Sequence, residues 1–357
     1  MKIIHTSDLH LKSPLTSRLS HEKMMIRSRE LEENFAILCE KAKEYSAEVM
    51  IIAGDLFDSE RIDTRSLDTV FTVIRRHPDL KFLYLVGNHE GNVLVSSGME
   101  MPSNLYLFGK GWTYFDFHGL RISGRNETSK DMMKTLDLKD GKNIVVLHGE
   151  LIDRSDEGGV IGTFDLEGCG ADYVALGHYH SYSAKVIDKK TVAVYCGTPE
   201  GRGFDEVGEC GFVLIDTDGE KISHKFIPSA KRKQIIEKVD ISYAQNNSDV
   251  ENLIAEKIRA YGRENLLRIV LIGEREPTLK LNTGIIEARF SKEYFYFEIK
   301  DKSKMKIDLN SLKFDKSLKG EFLRLALSEG GIDDETREKI IECGISALSG
   351  DIWEAKE

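Results

Sequence analysis

The chain has 357 residues, is 41% hydrophobic, and carries a net charge of −10 at pH 7. That length and apolar content support a large core and more than one domain, while the acidic balance argues against a protein that coats nucleic acid unaided. The five cysteines, with no C-x-x-C pair, exclude a zinc knuckle or a disulfide framework and imply reduced thiols.

The expected elements alternate from the start. Apolar runs at Lys2–Thr6, Val49–Ala53 and Phe82–Val86 read as buried strands. Between them, Arg29–Tyr45 places Leu31, Phe35, Leu38, Ala42 and Tyr45 at helical spacing, and Thr64–Arg76 does the same with Leu67, Val70, Phe71 and Ile74. Trp112–Phe117 and Leu120–Gly124 flank His118-Gly119, a hairpin signal. Asn143–Leu147, Tyr173–Leu176, Val192–Cys196 and Gly211–Asp216 are further strands. Mixed sheets stacked face to face fit this order better than one open parallel sheet.

After Pro228 the pattern changes. Ile235–Ile241, a helix over Ser248–Tyr261 with Ser248 as its cap, and Leu266–Ile272 form a compact β-α-β unit. A strand over Tyr294–Ile299 follows, and helices over Leu318–Leu327 and Asp333–Leu348 close the chain. The expected division is 1–228, 229–276 and 277–357. There is no secretory signal pattern and no apolar run near the roughly 20 residues that span a bilayer, so the expected location is the cytoplasm, away from membrane.

Five strand ends carry metal-binding side chains: Asp8-Leu9-His10, Gly54-Asp55, Gly87-Asn88-His89-Glu90, His148-Gly149 and Gly177-His178-Tyr179-His180. Strand ends are where a sheet presents groups in fixed positions. A lone Gly-Asp is commonly a turn or a cap; five such sites in order, each after a strand, make a set. Phosphodiesters resist attack because negative charge shields phosphorus, and two divalent ions about 3.5–4 Å apart overcome this by supplying a nucleophile and neutralising the phosphate. Such a pair needs neutral imidazoles and hard oxygens, one of them a bridging carboxylate. Asp8, His10, Asp55, Asn88, His148, His178 and His180 provide them, and mixed N/O ligation suits Mn²⁺, Fe²⁺ or Zn²⁺ better than Mg²⁺. His89, next to Asn88, is set apart as the group that contacts the phosphate or protonates the leaving alkoxide. Asp58 reads as a loop brace, His5 as a core histidine, and His21, His77, His118 and His224 as surface or turn residues.

These motifs resemble the calcineurin-like metallophosphoesterase superfamily. More closely, His5–Leu11, Ala53–Asp58, Leu176–His180 and Cys196–Phe204 resemble SbcD-type DNA repair exonucleases of the YhaO-like branch, strongly over 1–228 and more weakly in the tail, at Ser317–Phe322 and Ile345–Gly350. The resemblance implies a four-layer αββα sandwich with a small α/β capping domain and a C-terminal helical tail. It implies two Mn²⁺ ions and cleavage of DNA phosphodiester bonds. Asp8, His10, Asp55 and His180 would hold one ion; Asp55, Asn88, His148 and His178 would hold the other; Asp55 would bridge, and His89 would be the catalytic histidine. It further implies an SbcC-like coiled-coil ATPase partner, docked through the terminal helices, and a homodimer. Arg202, between two glycines, is a candidate phosphate contact, and Lys231, Arg232 and Lys233 are candidate backbone contacts for DNA or a solvated run. A phosphodiesterase or nucleotidase for small substrates, and a noncatalytic scaffold for an ATPase, are the competing readings.

Overall fold

The computed structural model describes residues 1–13, 15, 19–58, 62–87, 94, 97–129, 131–153, 160–276, 278–306 and 309–348. It divides into two compact units, the first comprising 1–235 with 264–266 and the second the remainder. The strand over 234–240 therefore begins six residues beyond the expected boundary at 228 before it enters the second unit.

In the first unit the order is β1 (Lys2–Thr6), α1 (His21–Glu44), β2 (Ala47–Ala53), α2 (Thr64–Arg75), β3 (Lys81–Leu85), β4 (Leu105–Leu107), β5 (Thr113–Phe117), β6 (Leu120–Gly124) and β7 (Lys142–His148). Then come β8 (Glu150–Ile152), β9 (Val160–Gly162), α3 (Thr163–Leu166), β10 (Tyr173–Gly177), β11 (Ser183–Val186), β12 (Val192–Tyr195), β13 (Gly211–Asp216) and β14 (Ser223–Pro228). Two six-stranded sheets result, ordered β14-β13-β1-β2-β3-β4 and β11-β12-β10-β7-β6-β5. Strands β1 to β4 run parallel, with Ile4 opposite Met50 and Ile51 opposite Leu83. In the second sheet β6, β7, β10 and β12 are parallel, with Leu147 opposite Leu176.

The period of two decides the layers. Val49, Ile51 and Ala53 pack with Ile144, Val146, Tyr173 and Ala175 between the sheets. Their alternates Met50 and Ile52 face Phe35, Leu38, Phe71 and Ile74 of α1 and α2. The second sheet's outer face is covered by Met132 and Met133 of a 3₁₀ turn and Leu166 of α3. The layering is thus α-β-β-α, with a thin fourth layer. Truncating a side chain such as Leu38, fully buried between helix and sheet, should cost about 2–5 kcal/mol.

Helix α1 begins eight residues earlier than the apolar spacing predicts. Ser20 caps it by accepting from the Lys23 amide, and its first turns expose Met24, Met25 and Ile26, so no inward apolar period marks them. Asp63 caps α2 through the Ser66 amide.

The second unit holds β15 (Gln234–Asp240), α4 (Asn247–Ile258), β16 (Leu266–Ile272), β17 (Glu274–Arg275), α5 (Thr283–Phe290), β18 (Tyr296–Asp301), β19 (Lys304–Met305), α6 (Leu309–Phe314), α7 (Leu318–Ser328) and α8 (Asp334–Leu348). Its sheet is ordered β15-β16-β18, so a strand from the expected tail completes the β-α-β unit. Asn246, rather than Ser248, caps α4, in a reciprocal box with Asp249. Leu323 and Ala326 of α7 pack against Ile341 and Ile345 of α8.

Candidate metal centre

The C-terminal ends of β1 and β2 in one sheet meet those of β7 and β10 in the other. After β1 the chain runs beside the loop that follows β2: the Asp8 amide donates to Gly54 O at 3.0 Å, the His10 amide to Asp55 O at 2.9 Å and the Leu11 amide to Leu56 O at 2.9 Å. Three motif glycines are there because the chains pass too close for a side chain. A Cβ on Gly54 would lie 2.2 Å from His148 Nδ1, one on Gly87 2.0 Å from Asp55 Oδ1, and one on Gly177 1.9 Å from Ala53 O. Asp8, His10, Asp55 and His178 all adopt positive φ, 53°, 44°, 51° and 110°. Such costly backbone gathered in one place marks a functional site held by its surroundings.

Two groups of donors result. Asp8, His10 and His180 form one, and Asp8, Asp55 and His148 the other, with the ligand atoms of each within 4.8 Å of one another. His10 Nε2 and His180 Nε2 are 3.2 Å apart, and each lies 4.0 Å from Asp8 Oδ1. Asp55 Oδ2 sits between imidazoles, 3.7 Å from His10 Nε2 and 3.4 Å from His148 Nε2. Ligands about 2.0–2.1 Å from one ion stand roughly 3–3.5 Å apart, so these spacings fit metal ligation. His148 Nε2 is buried with no hydrogen-bond partner, while His148 Nδ1 is 2.8 Å from Ala53 O. That leaves Nε2 as the nitrogen turned toward the carboxylates, as a ligand requires.

The electrostatics agree. Burial pushes the Asp8 carboxyl up, despite bonds from Ser7 and the His178 amide. Burial alone would drive the proton off His148, but Asp55 and Asp8 outweigh it and raise its pKa to about 9. Two buried carboxylates thus attract positive charge to this point. Burial, with Arg202 nearby, lowers His10 to about 4, leaving a neutral imidazole. Burial and the charge of His148 also lower His178. The His178 ring stands edge-on to His148, centroids 5.6 Å apart; it belongs to neither donor group. Asn88 and His89 lie outside the described residues.

Three residues take places that sequence reading did not assign. Glu206, almost fully buried, brings Oε1 to 2.8 Å from His180 Nδ1; no motif flags it. Asp58 Oδ1 is 2.9 Å from His10 Nδ1, so the expected loop brace adjoins a ligand candidate. Arg202, expected at a phosphate, donates from Nε and Nη2 to Glu206 at 3.0 and 2.6 Å and from Nη1 to Ser13 Oγ at 3.1 Å. The basic run is likewise occupied: Arg232 grips Glu30 with two 2.7 Å bonds, Lys231 lies 3.2 Å from Glu30, and Lys233 pairs with Glu209. His5 is a core histidine, its Nδ1 2.9 Å from Tyr173 OH. His224, expected at the surface, is half-buried on β14 against the Tyr173 ring.

A model of the family described as calcineurin-like phosphoesterase matches residues 1–182. The chain is 27% identical over 300 residues to the uncharacterized metallophosphoesterase YhaO of Bacillus subtilis, covering 76% of this chain and 72% of that protein. It is 28% identical over 270 residues to the DNA double-strand break repair protein Mre11 of Methanopyrus kandleri, covering 64% of this chain and 56% of that one, so it spans little more than half of that relative. A solved structure, TT1561 of Thermus thermophilus, aligns with a TM-score of 0.42 at 14% identity, covering 63% of this chain and 98% of that one.

Proposed function

This chain belongs to the calcineurin-like phosphoesterase family, and from that premise we propose that it is a two-metal nuclease hydrolysing DNA phosphodiester bonds. The observation that carries the reading is the convergence of Asp8, His10, Asp55, His148 and His180 at one junction of two sheets, with His148 Nε2 buried and turned toward Asp55. Asp8, His10, Asp55 and His180 would hold one ion, and Asp55, Asn88, His148 and His178 the other, most suitably Mn²⁺ for this N/O set. The position of Asp55 Oδ2 between His10 and His148 supports its role as the bridge. When bound, the ions supply an activated water and offset phosphate charge.

The chain's own residues do the rest. Asp8 and Asp55 concentrate negative charge where cations are to be held, the carbonyl of Ala53 fixes the His148 ring, and Asp58 and Glu206 face the outer nitrogens of His10 and His180. His89 is proposed to donate the proton to the departing alkoxide. DNA as substrate is supported by the likeness to a DNA double-strand break repair protein. A capping role for the second unit, an SbcC-like ATPase partner, a homodimer and a cytoplasmic location belong to the same proposal. Exposed Leu318 and Leu325 on α7 support docking there. Among the described residues no helix is long and apolar enough to cross a membrane.

The test is cleavage of 5′- and 3′-labelled duplex and hairpin DNA with Mn²⁺, alongside bis-p-nitrophenyl phosphate. Cleavage of both, lost in Asp55→Asn, is expected. Cleavage of the small diester with DNA left intact, even with the partner ATPase, would overturn the nuclease reading.

A further inference from the structure

We infer that Arg202 is a positioning residue for one metal: it holds Asp58 and Glu206 against the outer nitrogens of His10 and His180, so that both Nε2 atoms face inward. The inference rests on the two-metal reading of the same site.

The geometry is a chain of contacts closed by one guanidinium. Glu206 Oε1 receives Arg202 Nη2 at 2.6 Å and Nε at 3.0 Å, and the same oxygen lies 2.8 Å from His180 Nδ1. Glu206 Oε2 accepts from the Arg202 amide at 2.5 Å. On its other side Arg202 Nη1 is 3.6 Å from Asp58 Oδ1, which is 2.9 Å from His10 Nδ1. Nη1 also donates to Ser13 Oγ at 3.1 Å, in the segment just after His10. Arg202 Nη2 comes within 3.2 Å of His180 Nδ1 because both approach the same Glu206 oxygen.

The physical consequence concerns tautomer and charge. An imidazole whose Nδ1 faces a carboxylate carries its proton there and leaves the Nε2 lone pair for a metal. The two Nε2 atoms, 3.2 Å apart, have the spacing of two ligands on one ion. Asp8, Asp55, Asp58 and Glu206 gather four carboxylates around the imidazoles. Arg202 is the cation placed to offset the outer two, and its planar fork spans two acceptors in a way a lysine ammonium does not.

The loop that carries Arg202 is itself anchored. Arg27, fully buried on α1, pairs with Glu200 at 2.6 Å and donates to Gly201 O at 2.5 Å. Gln234 Nε2 donates to the same carbonyl at 2.7 Å.

The test is Mn²⁺ binding to metal-free full-length protein by titration calorimetry, with electron paramagnetic resonance to separate coupled pairs from single ions. Wild type should take up two Mn²⁺ as a coupled pair. Arg202→Met should weaken one ion about 10- to 100-fold and leave a single-ion spectrum at low Mn²⁺. Excess Mn²⁺ should restore most of kcat on bis-p-nitrophenyl phosphate with KM little changed, and Arg202→Lys should rescue only part of the affinity. Glu206→Gln, which keeps the side-chain volume, should lose the same ion, so it reads the inference if Arg202→Met does not fold. Unchanged affinity for both ions in folded variants, with KM for DNA raised, would overturn the inference and return Arg202 to the phosphate. A wild-type protein that binds no Mn²⁺ would overturn the two-metal reading together with the inference.

Discussion

The carbonyl of Ala53, at the end of β2, lies 2.8 Å from His148 Nδ1, at the end of β7. This contact joins the two sheets at the point where their functional ends converge, and it leaves no room between them. A Cβ on Gly177 would stand 1.9 Å from that same carbonyl, and the atom it meets is backbone. Gly177→Ala must therefore spread the sheets or displace β10. Overpacking of this kind costs about 1–3 kcal/mol, and the upper end is expected here. Urea unfolding should show that loss, with activity falling far more than stability because His148 and His178 move together. A variant with wild-type stability and activity would contradict the close contact.

Metal removal should destabilise the first unit. Asp8 is fully buried and Asp55 nearly so, with His148 held toward its charged form beside them, and bound ions would add further positive charge against both carboxylates. A ligand that binds only the folded state adds about 2.7 kcal/mol at a concentration 100-fold above Kd. For a unit of this size that corresponds to a rise in Tm of roughly 5–10 °C. Chelation should lower Tm by that amount and Mn²⁺ should restore it. In Asp55→Asn the metal-dependent shift should shrink, since the carboxylate between His10 and His148 has lost its charge. Scanning calorimetry with and without chelator reads both.

His89 is expected to act on the substrate rather than on the metals. General acid catalysis contributes about 10²- to 10⁴-fold, so His89→Ala should lower kcat within that range while Mn²⁺ stoichiometry stays at two. The loss should be smaller on bis-p-nitrophenyl phosphate, whose phenolate leaves without needing a proton. Equal losses on the phenolate ester and on DNA would count against proton donation, and loss of an ion would place His89 among the ligands.

The strands that end in ligands were legible because their burial on both faces makes continuous apolar runs, as in Val49–Ala53, and because their motifs are read at fixed offsets from those runs. The edge strands β4, β11 and β14 were not, since exposed residues such as Ser183–Val186 carry no apolar pattern. Asp8, His10, Asp55, His148 and His180 came forward as ligand types at strand ends. Glu206 did not, because its role depends on a loop folding back against His180 over 26 positions of sequence, which no local spacing records. Arg202 was legible as a residue near the site, yet its partners Glu206, Ser13 and Asp58 could be found only in three dimensions.

Arg27 tests the frame behind that loop. It is fully buried, 3.2 Å from Glu30 and 2.6 Å from Glu200. Arg27→Met fills similar space but leaves Glu200 buried without its cation, and breaking one side of a buried ion pair costs about 3–5 kcal/mol. Restoring neutrality with Glu200→Gln in the same chain should recover part of it. A loss in the double variant equal to the summed losses of Arg27→Met and Glu200→Gln measured singly would show that the pair carries no coupling.

His5 supplies the pH dependence. Burial holds its pKa at about 3, against an ordinary value of 6.5, with His224 adding a smaller push in the same direction. The sign follows from proton counting: between pH 6.5 and 3 the unfolded chain binds a proton at this position and the folded chain does not. Above pH 6.5 the position contributes no slope; as pH falls below 6.5, stability is lost progressively, to a ceiling of about 4–5 kcal/mol at 1.36 kcal/mol per pKa unit. His5→Phe keeps a ring against Tyr173 but cannot be protonated. It costs a constant amount for the lost contact with Tyr173 OH, so the absolute stability is not the readout. Urea unfolding of chelated wild type and variant from pH 7.5 to 4 should give curves that converge as pH falls, or cross. Parallel curves would mean that His5 takes up its proton in the folded protein, and that Tyr173 and His224 leave it open to water.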